Sequence, residues 1–167
     1  MGERKMKAVI MAGGMGKRLS PVTDLLPKPL APIGGAPCIK HIISLLKKHG
    51  ITDIGISLMY KGELIREALG DCQDVNLRFF EESTPMGTAG SVKNCSDFLD
   101  GDFLVISGDC LCDFNLSEAI DFHAANGGVA SIVFTRVKEP LEYGVALLEE
   151  DFRVSRFIEK PSWSRAY

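Results

Sequence analysis

The stretch from Lys7 to Pro32, KAVIMAGGMGKRLSPVTDLLPKPLAP, restricts the folds open to this chain more than any other. It opens on Ala8-Val9-Ile10-Met11, an apolar run short enough for a buried strand. Gly13, Gly14 and Gly16 follow at once, closed by Lys17 and Arg18. Glycines reach backbone conformations that a β-carbon disfavours, and they let main chain approach a ligand closely. Successive N–H groups in such a turn form a nest for anions, to which Lys17 and Arg18 add positive charge. Strand, glycine turn and cations together predict a phosphate-binding loop. Further along, Pro27 and Pro29 restrict the backbone on both sides of Lys28 and hold another cation beside the turn.

Two familiar phosphate loops are excluded by spelling. A P-loop needs Ser or Thr after its Gly-Lys pair, whereas Gly16-Lys17 is followed by Arg18, and Met11 stands where its first glycine belongs. A dinucleotide fingerprint needs a small residue where Gly14-Met15-Gly16 runs on to Leu19.

Strand and helix patterns alternate along the rest of the chain. Ile39, Ile42, Ile43 and Leu46 predict a helix over 38–49 stopped by Gly50, with His41 and His49 on a solvated face. A strand over 54–58, a helix over 61–69 and a strand over 75–80 follow, then a helix over 87–99. Phe103 to Ser107 is continuously apolar, as suits the middle of a sheet covered on both sides. A helix over 116–125, a strand over 129–137 and a hairpin of 144–148 with 154–159 complete the pattern. The expected fold is α/β: one domain, a Rossmann-like, mostly parallel sheet with helices on both faces. Ligands of such sheets bind outside the carboxyl ends of the strands. The glycine loop, the end of 103–107 and the turn before Gly87 all fall there.

The formal net charge of −3 on 167 residues argues against nucleic acid as a partner. No apolar run approaches the roughly 18 residues of a membrane helix, and Met1 to Met6 lacks the apolar core of a secretion signal. The five cysteines, odd in number and scattered, fit reduced thiols in a cytoplasmic protein. Cys110-Leu111-Cys112 lacks the spacing of a zinc knuckle.

Two further places carry chemistry. Ser107-Gly108-Asp109 ends a predicted strand on a carboxylate, a hard oxygen ligand suited to Mg²⁺, with Gly108 leaving room beside it for a bulky ligand; Asp113 competes for the same role. The second is Glu81-Glu82, two adjacent carboxylates ahead of the Ser83-Thr84-Pro85 turn, which can accept hydrogen bonds.

GGMGKRLSPVT followed by LPKPLAP resembles the opening of the sugar-phosphate nucleotidyltransferases, usually spelled GGxGTRLxPLTxxxPKPLxP. Lys17 and Val22 depart mildly from that spelling. Glu82-Ser83-Thr84-Pro85-Met86-Gly87-Thr88-Ala89-Gly90, Tyr143-Gly144-Val145 and Glu159-Lys160-Pro161 resemble later motifs of the same family, in the same order. The stretches around 88–114 and 139–163 look closest to mannose-1-phosphate guanylyltransferases.

The resemblance implies transfer of a nucleotidyl group from an NTP to a sugar-1-phosphate, with release of pyrophosphate; GTP and mannose-1-phosphate are favoured. It implies that Ala12, Gly13, Gly14, Gly16 and Lys17 hold the nucleotide's phosphates, with Glu82, Pro85, Gly87 and Thr88 about its base, where a carboxylate of Glu81 or Glu82 would accept from the N–H groups of guanine's pairing edge, uracil and thymine offering one N–H there. Arg18 and Lys28 neutralise the reacting phosphates and Asp109 binds Mg²⁺. Gly144 and Glu159 hold sugar hydroxyls, and Lys160 the sugar phosphate. The family's domain continues past the EKP motif to a second metal aspartate, so the expectation is a C-terminally incomplete domain with weak or no turnover. Homo-oligomers and a fused phosphomannomutase-like domain in a longer protein are compatible with the resemblance. Rival readings are a glucose-1-phosphate uridylyl-, thymidylyl- or adenylyltransferase, a molybdopterin or choline-phosphate nucleotidyltransferase, and a non-catalytic nucleotide-sugar-binding subunit.

Overall fold

The computed structural model describes residues 5–16 and 22–162, which divide into two compact units, Met1–Phe122 and His123–Tyr167. The first begins with β1 (Lys7–Met11), α1 (Val22–Leu25), a 3₁₀ turn (Lys28–Leu30), β2 (Pro32–Ile33) and β3 (Ala36–Pro37). It continues through α2 (Cys38–Lys48), β4 (Asp53–Leu58), α3 (Gly62–Ala68), β5 (Asn76–Glu81) and α4 (Gly87–Asn94). A second 3₁₀ turn (Ser96–Phe98), β6 (Phe103–Ser107) and α5 (Leu116–Asn126) follow, the last leading out of this unit.

The sheet runs β5-β4-β1-β6 and every pairing in it is parallel. Parallel neighbours cannot be joined by a tight turn, so each step needs a crossover. Two crossovers, through α2 and then α3, carry the chain to one side of β1; the third, through α4, carries it back to the other side. The strand order therefore reverses at β1, and a crevice opens between its carboxyl end and that of β6.

Burial follows from the pleat. Ala8 and Ile10 face α2, joining Ile39, Ile42, Ile43, Leu46, Ile54, Ile56, Ile65 and Leu116 in the main core. Val9 points the other way and packs with Phe80, Cys95 and Phe98. Because both faces are covered, Ala8, Val9 and Ile10 are all fully buried, as a central parallel strand requires. Each isoleucine or leucine buried in this way contributes about 1.5–3 kcal/mol. Helices thus lie on both faces of an all-parallel sheet, in agreement with the expected fold class.

Four expectations change. Phe103–Ser107 is the edge strand β6 rather than a middle one, and Phe103 and Val105 remain 39% exposed. The helix expected over 87–99 stops at Asn94, because Ser96 and Asp97 favour a tight turn, and that turn swings Phe98 onto Phe80. Residues 129–137, apolar enough for a strand, have no ladder partner among the described residues. His41 of α2 and His49, which caps its end, are bonded. His41 Nε2 lies 2.7 Å from the Ile33 carbonyl, and His49 Nδ1 accepts from the Ser117 N–H at the start of α5.

In the second unit β7 (Gly144–Leu148) and β8 (Val154–Glu159) pair antiparallel, with a bulge at Leu147/Leu148. The connecting turn is closed by the Glu149 N–H donating to the Arg153 carbonyl at 2.8 Å. Among the described residues no helix is long and apolar enough to cross a membrane.

Candidate functional site

A cavity of about 710 Å³ lies at the carboxyl ends of the parallel strands, within the usual size of small-molecule sites. β1 runs into it through Met11, Ala12, Gly13, Gly14 and Gly16. β4 supplies Ser57 and leads to Met59, β5 leads to Glu82, and β6 supplies Ser107 and leads to Asp109. Lys28 and Pro29 come from the first 3₁₀ turn; Pro85, Met86, Gly87, Thr88 and Ser91 come from the start of α4.

Backbone bonds explain why these segments converge. The Ala12 N–H donates to the Ser57 carbonyl at 3.1 Å, carrying the ladder past the end of β1. The Gly108 N–H donates to the Met11 carbonyl at 2.8 Å. A β-carbon at Gly108 would sit 2.9 Å from that same oxygen, so glycine lets the turn after β6 press against β1 and bring Asp109 over the glycine loop. The space at Gly108 is taken by this main-chain approach, not by a bulky ligand as expected. Gly87, with φ +67, opens α4 in the left-handed region that favours glycine.

Charge is concentrated in one pair. Lys28 Nζ lies 2.5 Å from Asp109 Oδ2, and Ser107 Oγ donates to Asp109 Oδ1 at 2.6 Å. Burial opposes ionisation of Asp109. The hydrogen bonds from Lys28 and Ser107, with the Lys28 charge, outweigh it and hold the carboxyl below its ordinary range.

Glu82 is the second feature. It is 9% exposed, and its Oε2 accepts from the Met86 N–H at 3.4 Å, while Oε1 meets no donor among the described residues. Ser57 Oγ, also in the wall, is likewise buried without a partner among the described residues. A buried polar atom left unsatisfied costs about 1–3 kcal/mol, so both atoms mark places where a ligand's polar group would be favoured. Burial, with the nearby Glu82 charge, also pushes the Cys95 thiol up to about 11. Glu81 points elsewhere, to Arg66 NH2 at 2.6 Å. Asp113 does not line the cavity.

Of the residues singled out from the sequence, Ala12, Gly13, Gly14, Gly16, Lys28, Glu82, Pro85, Gly87, Thr88 and Asp109 share this cavity. Lys17 and Arg18 lie outside the described residues. Gly144, Glu159 and Lys160 meet in the second unit, where Gly144 pairs in register with Glu159. A β-carbon on Gly144 would come within 3.1 Å of Glu159 Oε2. The Lys160 N–H donates to the Tyr143 carbonyl at 3.1 Å, and its Nζ stands 3.9 Å from Glu142 Oε2.

Sequence reasoning passed over Ser57, Ser91 and Ser107. Ser57 and Ser107 near or at strand ends were open to the rule that ligands bind there. That Lys28 would find Asp109, far away in sequence, had no local signal.

A four-stranded parallel sheet whose order reverses at β1, with a glycine turn, a lysine–aspartate pair and a buried carboxylate at its carboxyl end, defines an α/β protein with a polar ligand site at its switch point. The chain belongs to the nucleotidyl transferase family, whose model matches residues 7–167. It is 40% identical over 164 residues to the mannose-1-phosphate guanyltransferase of Saccharomyces cerevisiae, and 38% identical over 164 residues to that of Hypocrea jecorina. Each match covers 93% of this chain and 45% of the relative, so the chain spans less than half the length of these curated relatives. Among solved structures it resembles HddC from Yersinia pseudotuberculosis, crystallised with GMP-PN (TM-score 0.79, 30% identity, 94% of this chain and 70% of that one). It also resembles a candidate glucose-1-phosphate thymidylyltransferase from Bacillus anthracis, solved with a sucrose (TM-score 0.84, 30% identity, 93% and 65%).

Proposed function

We propose that the cavity binds a nucleoside triphosphate with guanine favoured, and that the chain is the nucleotide-binding part of an enzyme making an NDP-sugar. In that reaction a sugar-1-phosphate oxygen, mannose-1-phosphate favoured, attacks the α-phosphorus and pyrophosphate leaves. The observation that carries the guanine preference is Glu82 Oε1, buried with no partner among the described residues. Guanine brings N1–H and N2–H₂ donors to such an acceptor, whereas uracil and thymine bring one N–H. The mannose-1-phosphate guanyltransferases among the relatives support the same choice of base and sugar.

The residues divide the work by charge. Main-chain N–H groups of the glycine turn receive the phosphates, and Lys28 neutralises the reacting ones. Asp109 fits Mg²⁺ because this ion is commonly bound by one or two carboxylates together with substrate phosphates. Among the described residues no group of three ligating side chains forms a closed metal cage. Bound there, Mg²⁺ would supply further neutralisation of the triphosphate. Gly144 and Glu159 present acceptors to sugar hydroxyls, and Lys160 a cation to the sugar phosphate. The chemistry is positioning and charge neutralisation, with no covalent enzyme intermediate.

Calorimetric titration of this chain with GTP and with UTP, in Mg²⁺, tests the reading. GTP is expected to bind more tightly, and Glu82→Gln to reduce the GTP-over-UTP ratio by about tenfold, the effect of one charge-assisted hydrogen bond. An unchanged ratio would refute the role of Glu82. A preference for dTTP or UTP would favour a thymidylyl- or uridylyltransferase, as the B. anthracis neighbour suggests.

A further inference from the structure

We propose that Ser57 is a further specificity-determining residue of the cavity, its hydroxyl donating to the exocyclic carbonyl oxygen of a guanine whose N–H groups Glu82 accepts; this rests on reading the cavity as a guanine nucleotide site. Ser57 is 1% exposed and Glu82 9%. Ser57 Oγ and Glu82 Oε1 are the two buried side-chain oxygens without a hydrogen-bond partner among the described residues, and both residues line the same cavity. Buried polar groups in folded proteins are nearly always bonded. Two unsatisfied ones in a single wall call for a ligand that brings both partners.

The sheet register sets the two residues side by side. Ser57 of β4 pairs with Phe80 of β5, and the Glu82 N–H continues that ladder by donating to the Leu58 carbonyl at 2.8 Å. Gly55, two residues before Ser57, faces Phe80 and Phe98, whose rings would lie 3.1 Å and 3.2 Å from an added β-carbon. By alternation Ser57 and Glu82 belong to that same face. Two residues of rise and one strand spacing put their α-carbons about 8 Å apart, which suits one planar base edge with a hydrogen bond at each end.

The chemistry of the pair is complementary to guanine. Its pairing edge runs from O6 through N1–H to N2–H₂. Once a carboxylate accepts from the N–H groups, O6 remains, and an acceptor needs a donor. An ionised carboxylate cannot donate, whereas a hydroxyl can. Among the other hydroxyls of the wall, Ser91 Oγ donates to the Gly87 carbonyl at 2.8 Å and Ser107 Oγ to Asp109 at 2.6 Å, while Thr88 is exposed at the start of α4. Ser57 is the buried hydroxyl that these bonds leave uncommitted.

The test compares the parent chain with Ser57→Ala and Glu82→Gln by titration with GTP, UTP and 6-thio-GTP in Mg²⁺, together with thermal melting of the nucleotide-free proteins. The sulfur analogue keeps N1–H and N2–H₂ and replaces O6 by a weaker acceptor. Ser57→Ala is expected to weaken GTP binding about fivefold, the worth of one neutral hydrogen bond, and to leave 6-thio-GTP affinity nearly unchanged. Glu82→Gln is expected to weaken both guanine nucleotides alike. Removing a buried hydroxyl that the described residues leave unsatisfied should hold the melting temperature at or above the parent's. Equal GTP affinity in the parent and Ser57→Ala, with the parent still preferring GTP to UTP, overturns the assignment of Ser57 alone. An equal loss for GTP and 6-thio-GTP, accompanied by a lower melting temperature, also overturns it, because the hydroxyl would then serve the fold of the wall and not O6. A parent that binds no nucleotide, or GTP no better than UTP, overturns the guanine reading itself and the role of Ser57 with it.

Discussion

Asp109 shows how one residue reports its surroundings through pH. Its carboxyl is buried enough to resist ionisation, yet Lys28 and Ser107 keep its pKa below the ordinary value. A carboxyl whose folded pKa is depressed contributes stability that is fully present above the unfolded value, about 3.9. That contribution is lost as the pH falls through the folded value. Urea denaturation of the parent and of Lys28→Met between pH 3 and pH 7 should show the parent more stable near neutrality, by on the order of 1 kcal/mol for a partly exposed pair. The advantage should shrink below about pH 4, where Asp109 takes up a proton in the variant first. A gap that stays constant with pH would mean that Lys28 stabilises by packing alone. Glu82 makes the complementary point: its carboxylate is costly where it stands, with one oxygen unpaired among the described residues, a feature of binding sites more than of cores.

At the scale of elements, the close contact between the ends of β1 and β6 sets the geometry of the site. Gly108→Ala would place a β-carbon 2.9 Å from the Met11 carbonyl, and main chain on both sides has little room to yield. A loss of about 1–3 kcal/mol follows from overpacking of this kind. Differential scanning calorimetry should record a melting temperature lower by several degrees; an unchanged value would mean that the turn can move aside. How far the elements were legible depended on what each one needs. β1, α2 and the 144–159 hairpin carry their signal in local periodicity, and the structure has them where the sequence pattern puts them. Residues 129–137 have the composition of a strand, but a strand exists only through a ladder partner, and no residue type encodes one locally. The edge position of β6 escaped for the same reason, since apolarity in 103–107 reports burial and not neighbours. In the site, the glycine turn and Lys28 were visible as motif, and Asp109 as a strand-end carboxylate. The Lys28–Asp109 contact arises from sheet order, which the linear sequence does not display.

For the whole molecule, the chain represents less than half the length of its curated relatives, and the residues assigned to the proposed reaction fall in two separate units. The cavity belongs to the first unit, and the Gly144–Glu159–Lys160 cluster to the second. On the reaction proposed above, a pyrophosphate-release assay with Mg²⁺, GTP and mannose-1-phosphate should give weak or no turnover for this chain, which spans 45% of the curated relative, and clear turnover for a form of the relatives' full length. Silence from both, alongside tight GTP binding, would favour a nucleotide-sugar-binding subunit without catalysis.

If the cavity takes a triphosphate as proposed, the Lys28–Asp109 ion pair would also bear on which form of it is welcome. Cation and anion cancel, so this pair offers an incoming polyanion no surplus attraction. A bare triphosphate that draws Lys28 away uncovers Asp109 and meets like charge; one already carrying a divalent ion supplies an opposite partner to each half of the separated pair. On the proposed reading the contact would act as an electrostatic filter, favouring the metal complex over the naked nucleotide.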